Sequence, residues 1–245
     1  MQETGRPTQR IAMSNNPIYA LQERFLSFQG EGVYAGQAAY FLRLYGCDQK
    51  CHFCDSAGTW HKDWKPDYIT RYTAADLVAL IPTDARFAYT VITGGEPAMY
   101  NLEPLITEII NHTKRPVHIE TAGHRSIGNV DAWITLSPKP FATAPLIENV
   151  AKANEFKIIV ENEASIIDGL AVIQARQPDA PVWLHPEWSK HNDDTVKQLI
   201  VNYVKTHGEP FRAGYQIHKM YKADLYDQHA DKRLIPLGGN IKNGY

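Results

Sequence analysis

The chain has 245 residues, 44% hydrophobic and 21% charged, which excludes a disordered tail protein, a collagen-like fibre and a disulfide scaffold. No apolar run reaches the roughly 18 residues that span a bilayer, and Met1–Met13 lacks the apolar core of a signal peptide. Twenty-five basic against 27 acidic side chains predict no general affinity for nucleic acid or an anionic membrane, so the expectation is a cytoplasmic protein. Residues 1–15 read as an N-terminal arm, 16–224 as one domain and 225–245 as a C-terminal tail. Within the domain, Ala38–Tyr45 alternates as a strand, with Tyr40, Leu42 and Leu44 on one face and Phe41, Arg43 and Tyr45 on the other. Phe87–Ile92 is a second strand, ended by Thr93-Gly94-Gly95, and Leu102–Ile110 has helical spacing. Further strands are expected at Val117–Thr121, Ala132–Leu136, Phe156–Val160 and Val182–Leu184, with helices at Ala164–Ala175 and Asp194–His207. The second of these helices starts on acidic residues and stops before Gly208 and Pro210. A last strand is expected at Gly214–Ile217.

Six or seven mainly parallel strands with helices between them predict an α/β fold. No Gly-x-Gly-x-x-Gly follows the first strand, so a dinucleotide-binding sheet has no local support. Polar residues collect just after the strands: Cys47, Thr93–Glu96, Glu120-Thr121, Ser137-Pro138-Lys139, His185-Pro186 and Gln216–Lys219. Active sites of parallel α/β folds form at the carboxyl ends of strands. The expected architecture is therefore an incomplete TIM-type (β/α) barrel.

Its three cysteines, Cys47, Cys51 and Cys54, stand within eight residues, spaced by three and two residues. An odd cluster of this kind is no disulfide framework and reads as metal ligands or redox groups. Zinc would need a fourth ligand from His52 or His61. Three thiolates alone suit an iron–sulfur cubane with one open iron.

Cys-x-x-x-Cys-x-aromatic-Cys after a first strand resembles the radical S-adenosylmethionine superfamily, and Thr93-Gly94-Gly95-Glu96-Pro97 is similar to its second motif. Phe28-Gln29-Gly30-Glu31-Gly32, Arg43, Cys54-Asp55-Ser56, Leu136-Ser137-Pro138-Lys139 and Gln216-Ile217-His218-Lys219 narrow the likeness to the 7-carboxy-7-deazaguanine synthase family, from about Leu21 to Asp224. The resemblance implies a 4Fe–4S cluster on Cys47, Cys51 and Cys54, with S-adenosylmethionine against Phe53, Gly95, Glu96, Ser137, Pro138, Lys139 and His185. It implies Mg²⁺ on Ser56, where the family typically has threonine, and a pterin on Phe28, Gln29, Gly30, Arg43 and Thr93. The implied reaction converts 6-carboxy-5,6,7,8-tetrahydropterin to 7-carboxy-7-deazaguanine with loss of ammonia, on a queuosine-type path. A flavodoxin or ferredoxin would supply electrons to a homodimer.

Some family members end soon after the Gln-x-His-Lys motif and turn their terminal carboxylate on the substrate. This chain runs 26 residues past Lys219, and Asp224 is expected to supply a carboxylate instead. His185-Pro186-Glu187 stands where the family often has Gln-Pro. For proton handling the candidates by position are Glu120, His218 and Lys219. A glycyl-radical-enzyme activase would share the cysteine loop but not the Gln29, Arg43 and Gln216–Lys219 set. A zinc nucleobase deaminase has its His-x-Glu before its Pro-Cys-x-x-Cys, the reverse of the order here. A non-enzymatic zinc-binding module is the third alternative, distinguished by metal content.

Overall fold

Alternation of apolar and polar side chains along the strands decides this architecture, because one face of each strand meets helices and the other meets the interior. The computed structural model describes residues 17–231, apart from the side chains of Asp224 and Leu225. The expected N-terminal arm, most of the expected tail and the carboxylate of Asp224 thus lie outside the described residues. In chain order the elements are β1 (Ile18–Phe28), β2 (Ala38–Leu44), β3 (Thr70–Thr73), α1 (Ala74–Val78), β4 (Tyr89–Gly94), α2 (Glu103–Thr113), β5 (Val117–Thr121) and β6 (Trp133–Leu136). There follow α3 (Ile147–Lys152), β7 (Glu155–Val160), α4 (Glu163–Ala171), β8 (Val182–Pro186), α5 (Asp194–His207), β9 (Phe211–Ala213) and α6 (Ile217–Tyr221).

One nine-stranded sheet runs in the order β3-β1-β2-β4-β5-β6-β7-β8-β9. From β2 to β9 every neighbouring pair is parallel, whereas β1 lies antiparallel to both β2 and β3. The sheet does not close, and it is an incomplete barrel of the TIM type. Two strands escape the sequence pattern. Gln22-Glu23-Arg24 interrupts the apolar alternation of β1, and β3 has only four residues, two of them exposed. The expected strand at Gly214–Ile217 is a correction: β9 ends at Ala213, and Ile217 opens α6 with its N–H donated to the Gly30 carbonyl at 3.1 Å. No helix among the described residues is long and apolar enough to cross a membrane.

Outward-facing Leu42, Leu44, Ile92, Ile119, Leu136, Phe156, Ile158 and Leu184 pack under Leu105, Ile109, Val150, Ile166, Val196 and Ile200 of the helices. Inward-facing residues of the same strands are polar or aromatic: His118 and Glu120 on β5, Thr135 on β6, Glu155 and Lys157 on β7, Trp183 on β8. Glu155 is buried, and its carboxylate accepts from Trp133 Nε1 (3.2 Å), Thr135 Oγ1 (2.8 Å), Trp183 Nε1 (2.8 Å) and Val33 N (2.9 Å). Four donors compensate the burial of one charge. The same carboxylate fixes the connection between β1 and β2, whose Tyr34 packs on Tyr89, His118 and Trp133 and plugs one end of the barrel. Gly32 turns there with φ +71°, and a Cβ would fall 2.5 Å from Glu155. The plug leaves Gln29, Gly30 and Glu31 at the edge of the open end.

Candidate functional site

A cavity of about 280 Å³ opens at the carboxyl ends of the parallel strands. Cys47, Cys51 and Cys54 all line it, with Phe53 and Ser56 beside them. The cysteine loop leaves β2 and lies against the end of β4, an approach that Gly95 alone permits: a Cβ there would stand 2.2 Å from the Gly46 carbonyl. Glu96 N donates to that carbonyl at 2.8 Å. Burial pushes all three thiols up, Cys51 to about 11, and Cys54 accepts from Trp60 Nε1 at 3.3 Å. Neutral thiols around a shared cavity suit ligands that ionise on binding. Among the described residues no three His, Cys, Asp or Glu side chains gather closely enough to hold one metal ion. Three thiols on one loop beside a shared cavity are the donor type that iron–sulfur clusters take.

Glu96 is buried and anchored, accepting from Thr121 Oγ1 (2.6 Å), Ala98 N (2.9 Å) and Ala122 N (2.8 Å). Three bonds leave a carboxylate capacity for a further donor. Ser137 and Lys139 line the cavity and bond each other, with the Lys139 Nζ 2.7 Å from Ser137 Oγ, while Pro138 is not among the lining residues. The Ser56 hydroxyl donates to the Gly94 carbonyl at 3.3 Å and does not cap the turn that follows it.

On the opposite wall stand charges that sequence reading did not assemble. Lys157 donates to Glu31 and, at 3.4 Å, to Glu120; Gln29 Nε2 reaches Glu120 at 3.1 Å. Gln216 Nε2 joins Glu31 (2.6 Å) to Asp55 (3.1 Å), and Lys219 closes the chain on Asp55 at 2.7 Å. Burial, the largest single influence, would lift the Glu31 carboxyl, but the charge of Lys157, its hydrogen bond and the nearby His185 and His218 together outweigh it and hold Glu31 at about 2. For Glu120 burial wins over Lys157, with the Glu31 and Glu155 charges adding to it, and the carboxyl sits at about 7. Lys219 is committed to Asp55 and lies over the Trp188 ring.

Phe28, Gln29, Gly30, Arg43, Thr93, Glu120, His218 and Lys219 all line the cavity. Arg43 Nε donates to Glu23 at 2.5 Å, and the other Glu23 oxygen accepts the backbone N–H of Asp231. Residues 227–231 lie along β1, where Asp227 also accepts from Leu26 N at 2.9 Å. His185, like Pro138, does not line the cavity. It is fully buried against Gly214, outside the lining, and its two ring nitrogens have no hydrogen-bond partner among the described residues. Strand alternation turns it into the barrel, and burial holds it neutral at about 4. The next residues, Pro186, Glu187 and Trp188, reach the cavity instead. Lys157, Glu31, Asp55, Gln216 and Trp188 were missed as site residues; a lysine inside an apolar strand, Phe156–Val160, was the available signal for the first.

An open (β/α) barrel that gathers thiols and buried charges in one cavity at its carboxyl end defines an enzyme. The chain is 37% identical over 216 residues to the 7-carboxy-7-deazaguanine synthase of a Synechocystis strain, covering 84% of this chain and 98% of that one. It is 34% identical over 222 residues to the synthase of Escherichia coli K12, covering 82% and 97%. The crystal structure of QueE from Escherichia coli superposes with a TM-score of 0.70 at 26% identity, covering 81% of this chain and 94% of that one. No protein-family model matches. The chain belongs to the 7-carboxy-7-deazaguanine synthase family.

Proposed function

We propose that the chain is a radical S-adenosylmethionine lyase that contracts 6-carboxy-5,6,7,8-tetrahydropterin to 7-carboxy-7-deazaguanine in the cytoplasm. The observation that carries this reading is the shared cavity: three thiols and Glu96 on one wall face Gln29, Arg43 and the Lys157–Glu120 pair on the other. Cys47, Cys51 and Cys54 would hold a 4Fe–4S cluster, which with S-adenosylmethionine supplies a one-electron cleavage to a 5′-deoxyadenosyl radical. An external one-electron donor of the flavodoxin or ferredoxin type serves it. Substrate and product differ by one ammonia, so the conversion has no net oxidation and is compatible with a cosubstrate that is returned.

Each wall then has its task. Glu96 receives the methionine ammonium, and Ser137 and Lys139 face the rest of the cosubstrate. Gln29, with Gly30 beside it, meets the edge of the pterin, and Arg43 meets its carboxylate by a planar fork. Ser56 offers a hard oxygen to Mg²⁺, an ion that keeps several waters and needs few protein ligands. Glu120, near neutrality and hydrogen-bonded to Gln29, takes up the ring proton that must leave as the product aromatises. Lys157 holds Glu120 in place for that step. His218 and Lys219 pack and orient; Lys219 is already engaged by Asp55. The barrel wall excludes water and other quenchers.

Anaerobic turnover tests the reading. Reconstituted protein with Mg²⁺, S-adenosylmethionine, reductant and the pterin should release product and ammonia in equal amounts, with the cosubstrate recovered. Iron uptake without any product from this pterin would contradict the substrate assignment.

A further inference from the structure

Two of the three residues between Cys47 and Cys51 are bolted to other parts of the barrel. Asp48 accepts from His124 Nε2 at 2.7 Å and from Arg125 through two bonds, Nε at 3.0 Å and Nη2 at 2.6 Å. Gln49 exchanges two bonds with the backbone of Thr143: Nε2 to its carbonyl at 3.2 Å, and its N–H to Oε1 at 3.1 Å. Exposed ion pairs are ordinarily worth little, and Arg125 alone, half exposed, would fit that description. Its neighbour does not. The His124 side chain is 5% exposed, and its Nδ1, buried without a hydrogen-bond partner among the described residues, lies 3.9 Å from Glu96 Oε2.

Backbone order behind the pair is equally specific. Asn149 is fully buried on α3, and its Nδ2 donates to the carbonyls of Gly123 and Arg125, both at 2.7 Å. The turn after β5 is thereby held from behind while its two side chains hold the cysteine loop from the front.

We infer that His124 and Arg125 are positioning residues for the cluster, acting through Asp48 to keep Cys47 and Cys51 in the conformation that binds iron. His124 also ties that loop to the neighbourhood of Glu96, so one side chain sets the spacing between cluster and cosubstrate. The inference rests on the reading of the loop as a cluster site. Residues that orient metal ligands without touching the metal typically change metal retention by 10- to 100-fold when removed.

The test is iron retention, with turnover set aside. Wild-type protein, His124→Ala, Arg125→Ala, Asp48→Ala and the combination of Asp48→Ala with Arg125→Ala are reconstituted anaerobically. Iron loss to a ferrous chelator is then timed, and low-temperature EPR is recorded with and without S-adenosylmethionine. Iron loss should be on the order of tenfold faster in each single variant, and His124→Ala should also weaken the shift that the cosubstrate imposes on the signal. Because Arg125 acts through Asp48, the combined variant should lose iron no faster than Asp48→Ala alone. Thermal unfolding of the iron-free proteins checks the fold, and Arg125→Ala, at a half-exposed site, is the variant least able to disturb it. Wild-type iron retention in His124→Ala and Arg125→Ala would overturn the inference and leave the cluster reading intact. Additive losses in the combined variant would overturn it equally. A wild-type protein that takes up no iron would overturn the cluster reading, and this inference with it.

Discussion

The two walls of the cavity are built by different means. On the cysteine side, loops carry the chemistry: residues 46–56 and 93–97 lie backbone against backbone, with Gly95 allowing contact that any Cβ would block. On the other side, single charged side chains on strands do the work, and they are placed by pairing across the barrel, as Lys157 on β7 is with Glu120 on β5 and Glu31 beyond β1. A loop wall tolerates chemistry because its polar groups bond locally. A strand wall must compensate every buried charge with another from a distant segment. The loop side should therefore fail by losing its ligand, and the strand side, where a buried charge is left without its partner, by losing its fold as well as its rate.

Cys51→Ala gives the largest effect: no retained cluster and no turnover, while the unfolding midpoint of the iron-free protein moves little. Iron analysis and thermal unfolding check both halves. Lys157→Met leaves Glu31 and Glu120 facing each other without their cation, and removing one member of such a buried set costs about 3–5 kcal/mol. Denaturant titration should find that loss in a protein whose three thiols still take up iron.

Glu120→Gln should slow turnover about 100-fold without comparable destabilisation. In the wild type, activity should rise as pH passes through about 7, where Glu120 ionises into the base, and the variant should lack that limb. Stability moves the other way. The folded Glu120 keeps a proton that the unfolded chain releases at ordinary carboxyl pH, so this group's contribution falls as pH rises from there to about 7. Stability of Glu120→Gln should show less of that decline.

Glu23→Gln weakens the hold on Arg43 without removing either chain segment, and a charge-assisted hydrogen bond of this kind is worth roughly a factor of ten. KM for the pterin should rise by about that factor with kcat preserved. Smallest is Asn162→Ala, which breaks the reciprocal cap between Asn162 and Ser165 at the start of α4. It should cost about 1 kcal/mol of stability and leave turnover unchanged.

The same contrast explains what the sequence made legible. Parallel strands β2 and β4–β8 and helices α2, α4 and α5 were readable from alternation and end signals, because each packs a continuous apolar face. β1 was not, since the polar side chains of Gln22-Glu23-Arg24 serve the barrel edge and the Arg43 contact instead of solvent, and β3 was not, because it is only four residues long and half exposed. The cysteine loop and Thr93–Pro97 were legible as contiguous motifs. Lys157 was not, because nothing near it in the chain indicates the carboxylates 37 and 126 positions away that hold it. His185 failed for the complementary reason: a residue just before a strand's end can point into the barrel instead of the cavity. The Glu23–Asp231 contact was also invisible, because backbone N–H groups leave no mark in a sequence.

The most direct test of the reaction assigned to this cavity is transfer of deuterium from a pterin labelled on its ring carbons. Turnover should move the label into the 5′-carbon of recovered S-adenosylmethionine if, as proposed, one wall generates the radical and the other presents the pterin to it. Product formed with no deuterium in the recovered cosubstrate would contradict the shared site.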